Sequence, residues 1–164
     1  MITILVLCTG NSARSILGEA LFNRLGEGRI RAFSAGSRPA GRVHPGAARL
    51  LEREGYDAAT FRSKSWEEFA GPEAPRIDVA ITVCGSAAGE ACPVFPGSPV
   101  RAHWGLADPA GVTGEEAAVD AAFAETWRLL KMRVEAFLAL PLETLTAAEL
   151  QRELAAIGQL EGAA

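Results

Sequence analysis

The sequence predicts an α/β domain: a doubly wound, four-stranded parallel sheet flanked by helices, with an added C-terminal helix. Short apolar runs rich in β-branched residues alternate along the chain with segments of helical spacing. Strands that alternate with helices are joined by crossovers, which makes neighbouring strands parallel and puts ligands beyond their carboxyl ends. The chain has 164 residues, 49% of them hydrophobic, enough for one ordinary core, and nothing in it suggests a second core.

The first strand is the run Ile2 to Leu7, bounded by Thr9-Gly10. A helix follows from Ala13 to Arg24, with Ile16, Leu17, Ala20, Leu21 and Leu25 on one side. Ile30 to Gly36 is the second strand, ending in a Gly/Pro-rich loop through Pro45, and a short helix from Gly46 to Arg53 is stopped by Gly55. Ser65-Trp66-Glu67-Glu68 has a capping-box pattern and opens a brief helical turn. Asp78 to Val83 and Val100 to His103 are the third and fourth strands. Thr113-Gly114-Glu115-Glu116 reads as a second capping box, starting an amphipathic helix to Ala139 with Phe123, Trp127, Leu130, Val134 and Phe137 inward. Pro141 ends it, and Thr146 to Glu149 caps a last helix carrying Leu150, Leu154 and Ile157. The expected organisation is a catalytic domain over 1–140 and a helical extension over 141–164, whose apolar stripe covers the domain or a partner subunit. Both a monomer and a homodimer are compatible with this.

A net charge of −4 with scattered signs offers no basic stripe, which argues against nucleic acid. No apolar stretch approaches membrane-spanning length, and residues 1–7 lack a charged n-region and a cleavage site. The expectation is a cytoplasmic protein that engages no membrane. In that reducing compartment three cysteines point to catalysis rather than to structural disulfides.

Cys8-Thr9-Gly10-Asn11-Ser12-Ala13-Arg14-Ser15 sits at the switch from first strand to first helix. Unpaired amides at a helix start, helped by a glycine and small residues, attract anions. The same field favours a thiolate, taking cysteines from a pKa of about 8.5 to roughly 3.5–7.5, so Cys8 is expected to be ionised at neutral pH. Arg14 adds a planar fork suited to two oxygens of a tetrahedral anion. Ser15 is placed to donate to the Cys8 sulfur, and Asn11 to brace the turn. Cysteine can also end a strand as a small buried hydrophobe, but Gly10, Asn11 and Arg14 have no packing reason to follow it at this spacing.

Cys84 ends the third strand, so a parallel sheet brings it to the same edge as Cys8. Seven residues, all but Glu90 small, separate it from Cys92, a segment suited to carrying a sulfur between partners in thiol–disulfide exchange. Two other readings stand beside this: incidental core thiols, and a zinc site from Cys84, Cys92, His103 and a fourth ligand, although zinc knuckles use closer pairs. Asp108 before Pro109 is either a turn initiator or a general acid. His103 and Trp104 either position its loop or simply end the fourth strand.

The motif Cys8-X5-Arg14-Ser15, with Asp108-Pro109 about a hundred residues later, resembles the low-molecular-weight protein tyrosine phosphatase superfamily. Ile81-Thr82-Val83-Cys84, then Ala87 to Pro93 around Cys92, then Ala102-His103-Trp104-Gly105, resembles its arsenate reductase branch, with Gly85-Ser86 departing from the Asp-Asn pair of that branch. The resemblance implies that residues 9–14 bind arsenate, that Cys8 attacks arsenic and that Asp108 protonates the departing oxygen. It further implies that Cys84 attacks the Cys8 sulfur, that Cys92 resolves the disulfide, and that thioredoxin reduces the product. A tyrosine phosphatase, a reductase using a low-molecular-weight thiol and glutaredoxin, and a non-catalytic binder of arsenate or phosphate are the alternatives. No cofactor is obligatory. A potassium ion can sit beside the pocket in related reductases, and Asn11, Glu19 and Ser34 match three such positions, with no fourth evident and Glu19 reading more readily as a solvated helix position.

Overall fold

The structure is a computed structural model and describes residues 1–85, 95, 97 and 99–164. Its four strands, β1 (Ile2–Cys8), β2 (Ile30–Gly36), β3 (Val79–Thr82) and β4 (Val100–His103), lie in the order β2-β1-β3-β4, every neighbouring pair parallel. The described α-helices are α1 (Arg14–Leu25), α2 (Pro45–Arg53), α3 (Glu116–Leu138) and α4 (Ala147–Ile157). This is the doubly wound arrangement expected from the alternation of runs.

Both faces of the sheet are covered, which is why β1 reads as a nearly continuous apolar run broken only by Thr3. Ile4, Val6 and Cys8 join the core shared with the four helices, while Leu5 and Leu7 meet Trp66, Phe69, Ile77 and Phe95. Helix α1 lies close on β1: a Cβ at Gly18 would stand 3.1 Å from Val6 Cγ1. At its far end Phe22 stacks on Trp104 at 5.8 Å and meets Phe137 edge-on at 5.6 Å, tying α1 to the end of β4 and to α3. The Trp104 indole donates to the Leu154 carbonyl at 3.0 Å, and Leu154 and Ile157 of α4 are buried in the same core.

Strand β1 runs through α1 to β2 on one side and pairs with β3 on the other. The connections therefore diverge at the carboxyl end of β1, which opens a crevice there. No described helix is long and apolar enough to cross a membrane.

Several elements differ from expectation in their local chemistry. Helix α3 begins at Glu116 without a side-chain cap, so Thr113 closes no capping box. Gly114 at φ 106° turns the chain away from helical geometry between them. Ser65 caps only in part, accepting from the Glu67 amide at 3.2 Å at the start of the 3-10 turn Trp66–Phe69. The box at α4 forms with both bonds, Glu149 N to Thr146 Oγ1 at 3.1 Å and Thr146 N to Glu149 Oε2 at 3.3 Å. On α3, Trp127 is half-buried against Tyr56, whereas Arg133 is fully buried. Arg133 donates weakly to the Leu129 and Leu160 carbonyls at 3.5 and 3.4 Å, and burial lowers its pKa. Periodicity hides such a residue, because a charge at an inward position reads as a gap in the stripe.

Candidate active site

The chain leaves β1 at Cys8, paired in register with Gly36 of β2, and enters α1 at Arg14. Between them the loop's carbonyls are turned outward onto the segment after β2. Ser37 N donates to Cys8 O (3.3 Å), Arg38 N to Thr9 O (2.9 Å), Ala40 N to Gly10 O (2.9 Å) and His44 N to Ser12 O (2.8 Å). With the carbonyls satisfied on one side, the amides are left to face the other, which produces an anion-binding concavity. Gly36 is required for this closeness, since a Cβ there would stand 2.4 Å from Thr9 O and 3.0 Å from Asn11. Helix α1 starts at Ala13 with no side-chain cap and no acidic residue in its first turn, so its positive end adds to the same field.

A hydrogen-bond chain orients the Cys8 thiol. The Lys64 amide donates to Asn11 Oδ1 at 2.9 Å, which fixes the Asn11 carboxamide so that Nδ2 donates to Ser15 Oγ at 2.8 Å. Ser15, already accepting, directs its own hydrogen to Cys8 Sγ at 2.8 Å, and the Asn11 amide donates to the same sulfur at 3.1 Å. Asn11 is held at φ 46°, the left-handed region that asparagine tolerates better than most residues.

The structure corrects the expectation of a Cys8 thiolate at neutral pH. Burial pushes the Cys8 thiol up from its ordinary value, and neighbouring Cys84 adds to the push. The bonds from Ser15 and Asn11 pull it down without overcoming burial. A helix start attracts charge, but the buried sulfur also loses its water, and here that loss outweighs the attraction. Ser15→Ala is accordingly expected to shift the pH profile of Cys8 alkylation by iodoacetamide to higher pH. It would also leave Asn11 Nδ2 buried and unpaired, at a cost of about 1–3 kcal/mol. An unshifted profile would contradict the role given to the hydroxyl.

Cys8, Thr9, Gly10, Asn11, Ser12, Ala13, Arg14, Cys84, Asp108 and Ala110 line one cavity of about 230 Å³. Cys84 follows β3, whose Thr82 is paired with Leu7, and its buried Sγ lies 3.5 Å from Thr9 Oγ1. Arg14 Nη1 donates to the Leu106 and Val83 carbonyls at 2.7 and 3.5 Å, and Nη2 lies 3.5 Å from Asp108 Oδ1. Arg14 thus connects the loop to the ends of β3 and β4 as well as facing the cavity. Asp108 does what an aspartate before proline does, accepting from Ala110 N at 3.0 Å at the head of a 3-10 turn, and its half-exposed carboxylate also reaches the cavity.

His103 stands apart from the cavity lining, its Nδ1 2.8 Å from Thr82 Oγ1. His44 caps α2, accepting from Gly46 N at 3.0 Å. Cys92 lies outside the described residues, and among those described no cluster of His, Cys, Asp and Glu could hold a metal. Sequence reasoning missed the wall formed by residues 37–44, and it missed Ser63, whose hydroxyl donates to Gly10 O at 3.1 Å, and Lys64. The available signal was position alone: β2 ends beside β1, so whatever follows Gly36 must flank the loop after Cys8.

A thiol flanked by an arginine at the amino end of a helix, set at the switch point of a doubly wound sheet, defines a class of enzymes that act on tetrahedral oxyanions through sulfur. The chain belongs to the low molecular weight phosphotyrosine protein phosphatase family, whose profile matches residues 3–156. Its relatives include the arsenate reductase of Bacillus licheniformis, 35% identical over 115 residues that make up 70% of this chain and 78% of the relative. The arsenate reductase of Halalkalibacterium halodurans is 31% identical over 134 residues, 82% of this chain and 93% of the relative. Among solved structures, an arsenate reductase in a phosphate-binding state superposes with a TM-score of 0.65 at 28% identity, over 85% of this chain and 98% of that one. An arsenate reductase from Archaeoglobus fulgidus gives 0.60 at 30% identity, over 80% and 98%.

Proposed function

We propose that the chain reduces arsenate to arsenite through a three-thiol relay from Cys8 to Cys84 to Cys92, recharged by thioredoxin. The observation that carries this reading is the presence of Cys84 in the same cavity as Cys8, because a hydrolytic phosphatase needs no second thiol there. The names and coverage of the relatives support the substrate.

Arsenate enters the loop of residues 9–14, its charge met by the amides and by Arg14. Cys8 sulfur bonds to arsenic. The thiol hydrogen and a hydrogen of monohydrogen arsenate leave with one arsenate oxygen as water, Asp108 passing the proton to the departing oxygen. Because burial favours the neutral thiol, the arriving dianion is the base that accepts its proton. The Cys84 sulfur then attacks the Cys8 sulfur, its proton passing to the oxygens of the departing arsenic. A disulfide forms, the sulfur–arsenic bond breaks with its electron pair remaining on arsenic, and arsenic(V) departs as arsenic(III). Cys92 attacks Cys84, and its thiol proton passes to the departing Cys8 sulfur, which returns to the neutral thiol. A dithiol donor reduces the Cys84–Cys92 disulfide by the same exchange.

Phosphate has the shape and charge of arsenate, so slow hydrolysis of aryl phosphates is the second reading, requiring only Cys8, Arg14 and Asp108. The cavity lining favours arsenate: it contains no aromatic residue among those described to clasp a phosphotyrosine ring. Mass spectrometry of cysteine pairing after one arsenate turnover without reductant tests the relay. A Cys84–Cys92 bond is expected; a Cys8–Cys84 bond alone would remove Cys92 from it, and no disulfide would remove the relay. Comparing thioredoxin and its reductase with glutathione and glutaredoxin identifies the donor.

A further inference from the structure

The potassium ion implied by the resemblance does not fit the residues around Glu19. Asn11 Oδ1 accepts the Lys64 amide at 2.9 Å, and buried Ser34 donates its hydroxyl to Glu19 Oε1 at 2.7 Å. The Lys64 ammonium lies 3.4 Å from the same Oε1 and donates to the Arg62 carbonyl at 3.2 Å. Its side chain is 8% exposed and that of Glu19 15%. A second monovalent cation among Asn11, Glu19 and Ser34 would stand against a fixed one in a place with little water to screen it. Arg62, the other cation nearby, is engaged by Glu68 through two bonds of 2.6 and 3.0 Å.

We propose that Lys64 is the built-in cation of the oxyanion loop: its buried ammonium replaces a monovalent metal ion beside Glu19, and its backbone amide aims Asn11. One residue then sets two things. The side chain neutralises the carboxylate that holds Ser34 of β2, and this anchors the backbone whose amide begins the chain Asn11–Ser15–Cys8. Lys64 is a positioning residue here, touching neither oxyanion nor sulfur, and the inference does not depend on which oxyanion reaction the loop performs.

The test compares potassium chloride with choline chloride at equal ionic strength, reading thermal midpoint, phosphate affinity, and the pH profile of Cys8 alkylation. In the wild-type protein all three are expected to be the same in both salts. Lys64→Ala leaves Glu19 buried without its partner. In choline its phosphate Kd is expected to rise about tenfold and its alkylation profile to shift, with both recovering in potassium chloride. Lys64→Arg should restore them in choline. Should Lys64→Ala fail to fold, Lys64→Met combined with Glu19→Gln, which removes both charges, is expected to fold equally in both salts. Potassium dependence of the wild-type protein overturns the proposal. So does a Lys64→Ala variant that matches wild type in choline or is not rescued by potassium, and so does a double variant that does not fold.

Discussion

Cys8→Ser is expected to abolish both arsenite production and any hydrolysis of p-nitrophenyl phosphate, by about ten-thousand-fold or more, the scale on which covalent enzymes lose rate with their nucleophile. Serine keeps the volume and the hydrogen-bonding partners of Cys8 but is far less acidic and far less nucleophilic than a thiol. The oxyanion loop itself is built by the outward bonds to residues 37–44 and by Gly36. Phosphate binding by Cys8→Ser should therefore remain within an order of magnitude of wild type, and calorimetry separates that outcome from misfolding. Retained arsenate reduction would mean that Cys8 is not the attacking sulfur.

Cys84→Ser is expected to divide the two chemistries. Steady-state arsenite production with thioredoxin should fall to background, because Cys8 and Cys84 are the thiols among the described lining residues, and removing Cys84 leaves none of these to take up the Cys8 sulfur. Phosphate should still protect Cys8 from alkylation, and any aryl phosphate hydrolysis should stay at its wild-type order of magnitude. Cys84 meets the loop at the Thr9 hydroxyl, and serine can keep that contact. Unchanged arsenite production would reject the relay and favour a low-molecular-weight thiol as the second sulfur.

Legibility along the chain followed the range of the interactions involved. The strands from Ile30 and from Val100 begin and end where the sequence placed them, because residues beside them that favour turns, Gly28 and Gly36 for the first and Pro99 and Gly105 for the second, mark their ends locally. The capping box at Thr146 was equally readable, its two bonds linking residues three apart. The box at Thr113 failed although its letters were right, since Gly114 adopts a φ of 106° that breaks helical geometry between Thr113 and Glu116. Arg133 was invisible for a related reason: its surroundings come from α3 and from the residues after α4, not from its immediate neighbours.

The site divides in the same way. Cys8, Arg14 and Ser15 could be read directly, because a strand-to-helix switch is a local event and its anion field comes from adjacent amides. That Cys84 shares the cavity followed from topology alone, since parallel strands deliver their carboxyl ends to one edge. Two things needed the three-dimensional arrangement. Whether the field of the loop or the loss of water governs the Cys8 thiol depends on how completely the domain closes around the sulfur, and burial prevails. Which group neutralises Glu19 depends on a lysine 45 residues further along the chain.

The sequence by itself determined the order of strands and helices, the oxyanion loop and the supply of three thiols, because each rests on patterns only a few residues long. The tertiary structure alone decided that the loop is built against residues 37–44, that burial pushes the Cys8 thiol up from its ordinary value, and that Lys64 stands beside Glu19. Those outcomes are sums of desolvation and charge over segments that meet only when the chain is folded, so no local pattern encodes them.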